Sequence, residues 1–149
     1  MTTAAVPSTS RSGGAPKPPL RFGVESAKGL WINGSDDVLR IRATDLRDLT
    51  RKAAAAREDC PHAVVVIDIG VLIARDIRTA RAAVRDSGCD LCEGMVYVGT
   101  PAGLVGLVAD IYALGIADGA VLVPLAGDDD VLELIREVVV PELTALAAA

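Results

Sequence analysis

Small polar residues beside glycines are the first candidates for ligand binding in this sequence. Ser26 follows the short predicted strand 21–25, and Asn33 ends the segment 29–33 just before Gly34. The side chains of serine and asparagine can donate hydrogen bonds to a phosphate or to the hydroxyl groups of a ligand. Serine and asparagine are also among the residues that turns use most, so the commoner interpretation is that both residues shape turns.

Two cysteines, Cys89 and Cys92, have the spacing of a redox motif or of half a zinc site. The chain has three cysteines in all and a single histidine, His62. A four-ligand zinc site would need Cys60 and His62 brought beside this pair, and the spacing does not indicate that arrangement. We therefore predict no metal site, and free thiols that pair only on oxidation.

Carboxylates offer two further candidates. Asp68 lies within the most apolar segment of the chain, 63–73, and a buried carboxylate needs a partner or a raised pKa. The predicted partner is an arginine on a facing strand or subunit, and the alternative is a catalytic acid. The loop 127–130 contains three consecutive aspartates, which would repel a phosphate at the start of the following helix. Helix capping is their expected role, and a hard metal ion is the alternative.

Strand and helix patterns alternate along the chain and must position these residues. Apolar and helical periodicities predict strands at 21–25, 29–33, 38–42, 63–73, 96–98 and 120–124, and helices at 44–58, 76–87, 101–114 and 131–140. Leu46 and Ile77 are assigned to buried helix faces, and a hairpin turn is predicted at 33–37. The alternation predicts a parallel sheet with right-handed crossovers, and about four βα units amount to half a barrel.

Composition limits the class of protein. The chain of 149 residues has a formal net charge of −5, and only 3% of it is aromatic. An acidic body argues against nucleic acid and anionic lipid as partners. No segment approaches the roughly 20 apolar residues of a membrane span, and the start of the chain lacks the pattern of a secretory signal. We therefore expect a cytoplasmic protein, with a disordered tail at 1–19 before an α/β domain at 20–149.

Several short motifs resemble the C-terminal end of the luciferase-like flavin-dependent monooxygenases. They are Gly-Thr-Pro at 99–101, the Ala-Asp-Gly turn at 117–119 with the strand 121–124 after it, Val-Val-Pro-Glu-Leu at 139–143, and Gly-Leu-Trp-Ile-Asn at 29–33. The sequence departs from the family at two positions. Members commonly have Glu where this chain has Ala102, and Val where it has Gly103. The resemblance implies an α/β fold that is a partial, half TIM-type (βα) barrel with a parallel sheet and covering helices.

The resemblance also implies a function. It implies an oxidoreductase domain that uses FMN or a deazaflavin, with Ser26 and Asn33 as the cofactor-binding residues and with no catalytic residue identified. A full member is about twice as long, and its N-terminal half supplies much of the flavin pocket. We therefore expect a homo-oligomer or a complementary half-barrel subunit. The alternative is a non-catalytic scaffold or regulatory protein built on a half-barrel.

Overall fold

The computed structural model describes residues 18–34, 38–87, 94–125 and 129–148. Most of the predicted tail, the cysteine pair Cys89 and Cys92, and Asp128 lie outside the described residues. The strands are β1 (Arg21–Ser26), β2 (Gly29–Ile32), β3 (Val38–Ile41), β4 (Val64–Ile73), β5 (Met95–Gly99) and β6 (Gly119–Pro124). The helices are α1 (Leu46–Asp59), α2 (Ile77–Ser87), α3 (Pro101–Ala113), α4 (Asp129–Leu134) and α5 (Val140–Ala148), and a π-helical turn (Ile135–Val139) joins the last two.

The described residues form one six-stranded sheet. Five of its strands follow the order β2-β1-β6-β4-β3, and the sixth, β5, pairs with β4. β4 is the central strand, because it pairs in parallel with β6 along one edge and with both β3 and β5 along the other. The sheet curls and carries helices, so the fold is an α/β half-barrel consistent with part of a TIM-type barrel, as the sequence predicts. It is mixed rather than purely parallel, because β1 and β2 are antiparallel.

The predicted hairpin is wrong. The hairpin joins β1 to β2, with Ser26 paired to Gly29 across its turn, whereas β3 pairs with β4. The Asn33-Gly34 sequence therefore begins a connection from β2 to β3 and does not turn one of these strands back onto the other. A turn signal specifies a local bend, but the strand that a segment pairs with is decided by the burial of its side chains.

The main core lies between one face of the sheet and the helices α1, α3 and α5. It contains the odd-numbered residues of β4 from Val65 to Ile73, together with Leu49 of α1, Ile111 of α3 and Leu143 of α5. The even-numbered residues Val66 and Leu72 are buried outside this cluster, as is Ala80 of α2. Because successive side chains of a strand point to opposite faces, β4 is covered on both.

Local signals specify the helix starts and one unusual turn. Thr100 accepts a hydrogen bond from the N–H of Gly103, and Asp76 accepts one from the N–H of Thr79, so these side chains cap α3 and α2, as serine, threonine and aspartate commonly do. The last helix continues through Pro141 by way of the π-helical turn, in which the N–H of Val140 reaches back to the carbonyl of Ile135. A π turn leaves room for a proline that would clash with an ordinary helical turn.

Two predicted core residues are exposed instead. Leu46 is 43% exposed and Ile77 is 49% exposed. Each is the first residue of its helix, so it lies at the end of the buried stripe, where the helix no longer covers the sheet. In the part of the chain that the structure describes, no helix has the length and apolar character needed to span a membrane.

Candidate functional site

A cluster of charged side chains lies on the face of the sheet opposite the main core. Nε of Arg40 donates to Oδ1 of Asp68 at 2.8 Å, and an Nη of the same arginine donates to Oε1 of Glu25 at 2.6 Å. Nε of Arg42 lies 3.7 Å from the other Asp68 oxygen. We call Glu25, Arg40 and Asp68 the charge cluster.

The strand register brings the charge cluster to one face. Arg40 is opposite Val66, and Asp68 is opposite Val121, so Arg40 and Asp68 lie on neighbouring strands two positions apart on the same face. Glu25 is on β1, which is separated from β3 by both β6 and β4. Strands at ~4.8 Å spacing would place β1 and β3 about 14 Å apart in a flat sheet. The contact between their side chains therefore requires this face to be concave.

Partial burial makes the charge cluster electrostatically significant. The side chain of Asp68 is 12% exposed, that of Arg40 28% and that of Glu25 42%. The hydrogen bond from Arg40 to Asp68 raises the pKa of the guanidinium against the opposing effect of burial. A half-buried carboxylate is tolerated when a cation is hydrogen-bonded to it. The arginine partner predicted for Asp68 is therefore confirmed.

Ser26 lies at the C-terminal end of β1, where its Oγ accepts a hydrogen bond from the N–H of Lys28 at 3.2 Å. This is a turn role, as the commoner interpretation of the sequence predicts. The residue also lines an open groove of about 420 Å³ between the β1–β2 hairpin and the last helices. We call this groove the hairpin groove; its lining residues are Val24, Ser26, Lys28, Gly29, Leu30, Trp31, Arg136 and Val140.

Asn33 lies at the opposite end of the hairpin from Ser26. Its amide Oδ1 accepts from the N–H of Phe22 at 2.8 Å, and its Nδ2 donates to the carbonyl of Leu20 at 3.1 Å. Asn33 thus ties the end of β2 to the start of β1. Because Phe22 and Ser26 are four residues apart on one strand, the two predicted cofactor-binding residues are about 13 Å apart along it. The structure does not bring them together.

A second cavity, of about 440 Å³, opens at the C-terminal end of β4, between α2 and α4. Its charged lining is mostly acidic: Asp76, Asp130, Glu133 and Glu137, with Arg75 as the cation. A hydrogen bond with Glu137 and the charge of that residue raise the pKa of Glu133. This excess of negative charge is unfavourable for a phosphate. Among the described residues, no group of three histidine, cysteine, aspartate or glutamate side chains is arranged to hold a metal ion.

Sequence reasoning missed most of what surrounds these sites. The alternation at 38–42 placed Arg40 and Arg42 on one strand face, and that pattern was the available signal for a partner of Asp68. Glu25 carried no comparable signal, because its contact depends on the curl of the sheet. Lys28 and Arg136 of the hairpin groove are more than 100 positions apart in the chain, so their proximity is a tertiary feature.

Comparisons with known proteins support the fold. No family model matches the sequence, and no curated protein matches it. Among solved structures, the chain is similar to long-chain alkane monooxygenase (LadA), with a TM-score of 0.57 and 15% sequence identity. The similarity covers 71% of this chain and 36% of that one, so the chain spans about a third of the length of the protein it resembles. This likeness is one of fold, and it supports the luciferase-like fold that the motifs predict.

Proposed function

We propose that the chain is part of a luciferase-like oxidoreductase that binds FMN or a deazaflavin against the concave face of its sheet. The observation that carries the proposal is the charge cluster. It places a hydrogen-bonded arginine, 28% exposed, on the face that becomes the interior when such a sheet closes into a barrel. Charged groups on an inner barrel face are costly unless they are paired or used, and Arg40 retains N–H donors beyond the two hydrogen bonds it makes.

The proposal assigns the ring of such a cofactor to the concave face, beside Arg40. A bound flavin or deazaflavin supplies hydride transfer, and a cation near the ring edge tunes its electronics. Arg40 would hold that positive charge, while Asp68 and Glu25 fix the direction of its guanidinium. Ser26 has weaker support, because it is two positions from Val24 on β1 and so shares the helix-facing side of that strand, opposite to Glu25. Asn33 has weaker support, because a cofactor contact would break one of the hydrogen bonds that its amide makes to β1.

The proposed site needs a second half-barrel. The outer strand β2 leaves its free edge unpaired within the described residues, and the exposed Leu30 and Trp31 lie along it. An unpaired edge beside apolar side chains favours association. We therefore propose that another copy of the chain, or a complementary subunit, completes the barrel and covers the concave face.

Cofactor titration tests the proposal. Purified protein is mixed with FMN and, separately, with a deazaflavin, while cofactor fluorescence, melting temperature and sedimentation are followed. We expect the oligomer to quench the fluorescence of the cofactor that it binds. The variant Arg40→Met/Asp68→Leu removes the cation together with its more buried partner, and the partners left behind, Glu25 and Arg42, have side chains that are 42% and 71% exposed. It should bind at least tenfold more weakly. Arg47→Met, on the exposed face of α1, is the matched control. Equal binding by both variants, or no binding of either cofactor by the oligomer, would contradict the proposal.

One observation favours the alternative, a non-catalytic scaffold. The cavity at the C-terminal end of β4 is acidic, although the same edge of a barrel commonly holds the phosphate of a ligand. A stable oligomer that binds neither cofactor would support this alternative.

A further inference from the structure

We propose that the hairpin groove is a separate binding site for a small anionic amphiphile, such as a monocarboxylate with an apolar tail. The groove lies on the helix-facing side of the hairpin, because Val24 and Trp31 are register partners and Val24 belongs to the main core. Glu25, the neighbour of Val24, points to the concave face. The proposal does not depend on the cofactor site, which lies on the other side of β1.

Apolar side chains form the walls of the groove. Trp31 is 49% exposed, and Val24 and Val140 also line the groove. The indole ring is held in place by an edge-on contact with the buried ring of Phe22, with 5.7 Å between the ring centroids. A half-exposed tryptophan fixed in this way offers a preformed apolar surface to a ligand.

Two cations line the same groove. Lys28 is exposed in the turn between β1 and β2, and Arg136 is exposed on the π-helical turn. Neither forms an ion pair within the residues that the structure describes. Among the described residues, none of those that line the groove is acidic, although the whole chain has a net charge of −5. Local positive charge on an acidic protein selects an anionic ligand by charge complementarity.

The shape of the groove favours a small molecule over a macromolecular surface. Its volume of about 420 Å³ falls in the range of small-molecule sites, roughly 300–1,000 Å³. The arrangement calls for one anionic group near Lys28 and Arg136 and an apolar body against Trp31. The competing occupants are a second copy of the chain, through the exposed edge of β2, and the flavin cofactor itself.

Trp31 is the only tryptophan in the chain, so its fluorescence reports directly on the groove. We expect octanoate to change that fluorescence saturably, and uncharged octanol to bind more weakly. The variant Lys28→Gln/Arg136→Gln should weaken octanoate binding about tenfold, since each exposed ion pair contributes modestly. Both side chains are exposed, so the variant should fold. Arg47→Gln removes an exposed cation elsewhere and should bind octanoate as the parent protein does.

Four results would overturn the inference. The first is no saturable change with octanoate, and the second is equal affinity of the double variant and the parent. In the third, Trp31→Glu dissociates an oligomer in sedimentation while octanoate has no effect on the parent, which would assign the groove to a second copy. In the fourth, FMN competes with octanoate and itself binds more weakly to the double variant, which would assign the groove to the cofactor.

Discussion

Gly119 is the position at which one added methyl group is expected to destabilise the protein most. It begins β6 and is paired with Arg21 of β1 on one side and with Val66 of β4 on the other. A Cβ there would lie 2.5 Å from the carbonyl carbon of Arg21 and closer still to its oxygen, well inside the 3.0 Å that real Cβ contacts respect. The obstacle is backbone, so no side-chain rotation can relieve the clash.

The magnitude follows from what must move. Overpacking a closed site costs about 1–3 kcal/mol, and displacing β1 from β6 sacrifices one or two hydrogen bonds of about 1 kcal/mol each. Gly119→Ala should therefore lower the free energy of unfolding by about 3–4 kcal/mol. With a urea dependence near 2 kcal/mol per molar, the unfolding midpoint should fall by about 2 M.

Gly106→Ala is the matched control. Gly106 is exposed within α3, and a Cβ there meets nothing within 4 Å. Alanine is favoured over glycine in a helix interior by about 1 kcal/mol, so this variant should raise the urea midpoint by about 0.5 M. Urea unfolding followed by the fluorescence of Trp31 measures both variants. If Gly119→Ala unfolds within 0.5 M of the parent (~1 kcal/mol at that slope), the inferred backbone clash is refuted.

Three further predictions concern carboxylates. Asp118→Ala should lower the free energy of unfolding by about 2–4 kcal/mol, because it leaves a buried N–H of β4 without its acceptor; urea unfolding checks this, and exposed Asp110→Ala should have little effect. The pKa of Asp48 is lowered from 3.8 to about 2, first by a hydrogen bond from a backbone N–H, so its stabilising contribution should be complete above pH 4 and disappear as the pH falls through about 2. An NMR titration of the Asp48 carboxyl with a midpoint near 3.8 would contradict that expectation. Glu137→Gln should lower the raised pKa of Glu133, because it removes a negative charge and alters the hydrogen bond between the two side chains. The two carboxylates repel each other only when both are ionised, so the variant should be more stable than the parent at neutral pH. A titration of Glu133 in both proteins checks the cause.

Much of the local structure could be predicted from neighbouring residues alone. Thr100 with Pro101 predicts the start of α3, and Asp76 predicts the start of α2, because a capping side chain and its N–H partner are three residues apart. The apolar segment around Asp68 predicts a central strand, because burial on both faces removes the alternation of polar and apolar residues. Because a carboxylate buried in such a strand needs a partner, the sequence also predicts an arginine beside Asp68.

Strand pairing could not be predicted in this way. The Asn33-Gly34 turn signal predicts a hairpin that joins β2 to β3, yet β2 pairs back onto β1. The side-chain amide of Asn33 instead forms hydrogen bonds with the backbone at the start of β1. A turn signal is local, whereas the choice between two neighbouring strands depends on which pairing buries more side chains in the finished sheet.

The α/β class, the helix caps, the central position of β4 and the need of Asp68 for a cation can all be predicted from the sequence, because each depends on contacts within a few residues or on simple burial. The identity and position of that cation depend on the tertiary structure. Arg40 reaches both Asp68 and Glu25 because the sheet curls, and curl is a property of six strands together. The hairpin groove is also a tertiary feature, since its lining combines residues of the β1–β2 hairpin with Arg136 and Val140 from the end of the chain.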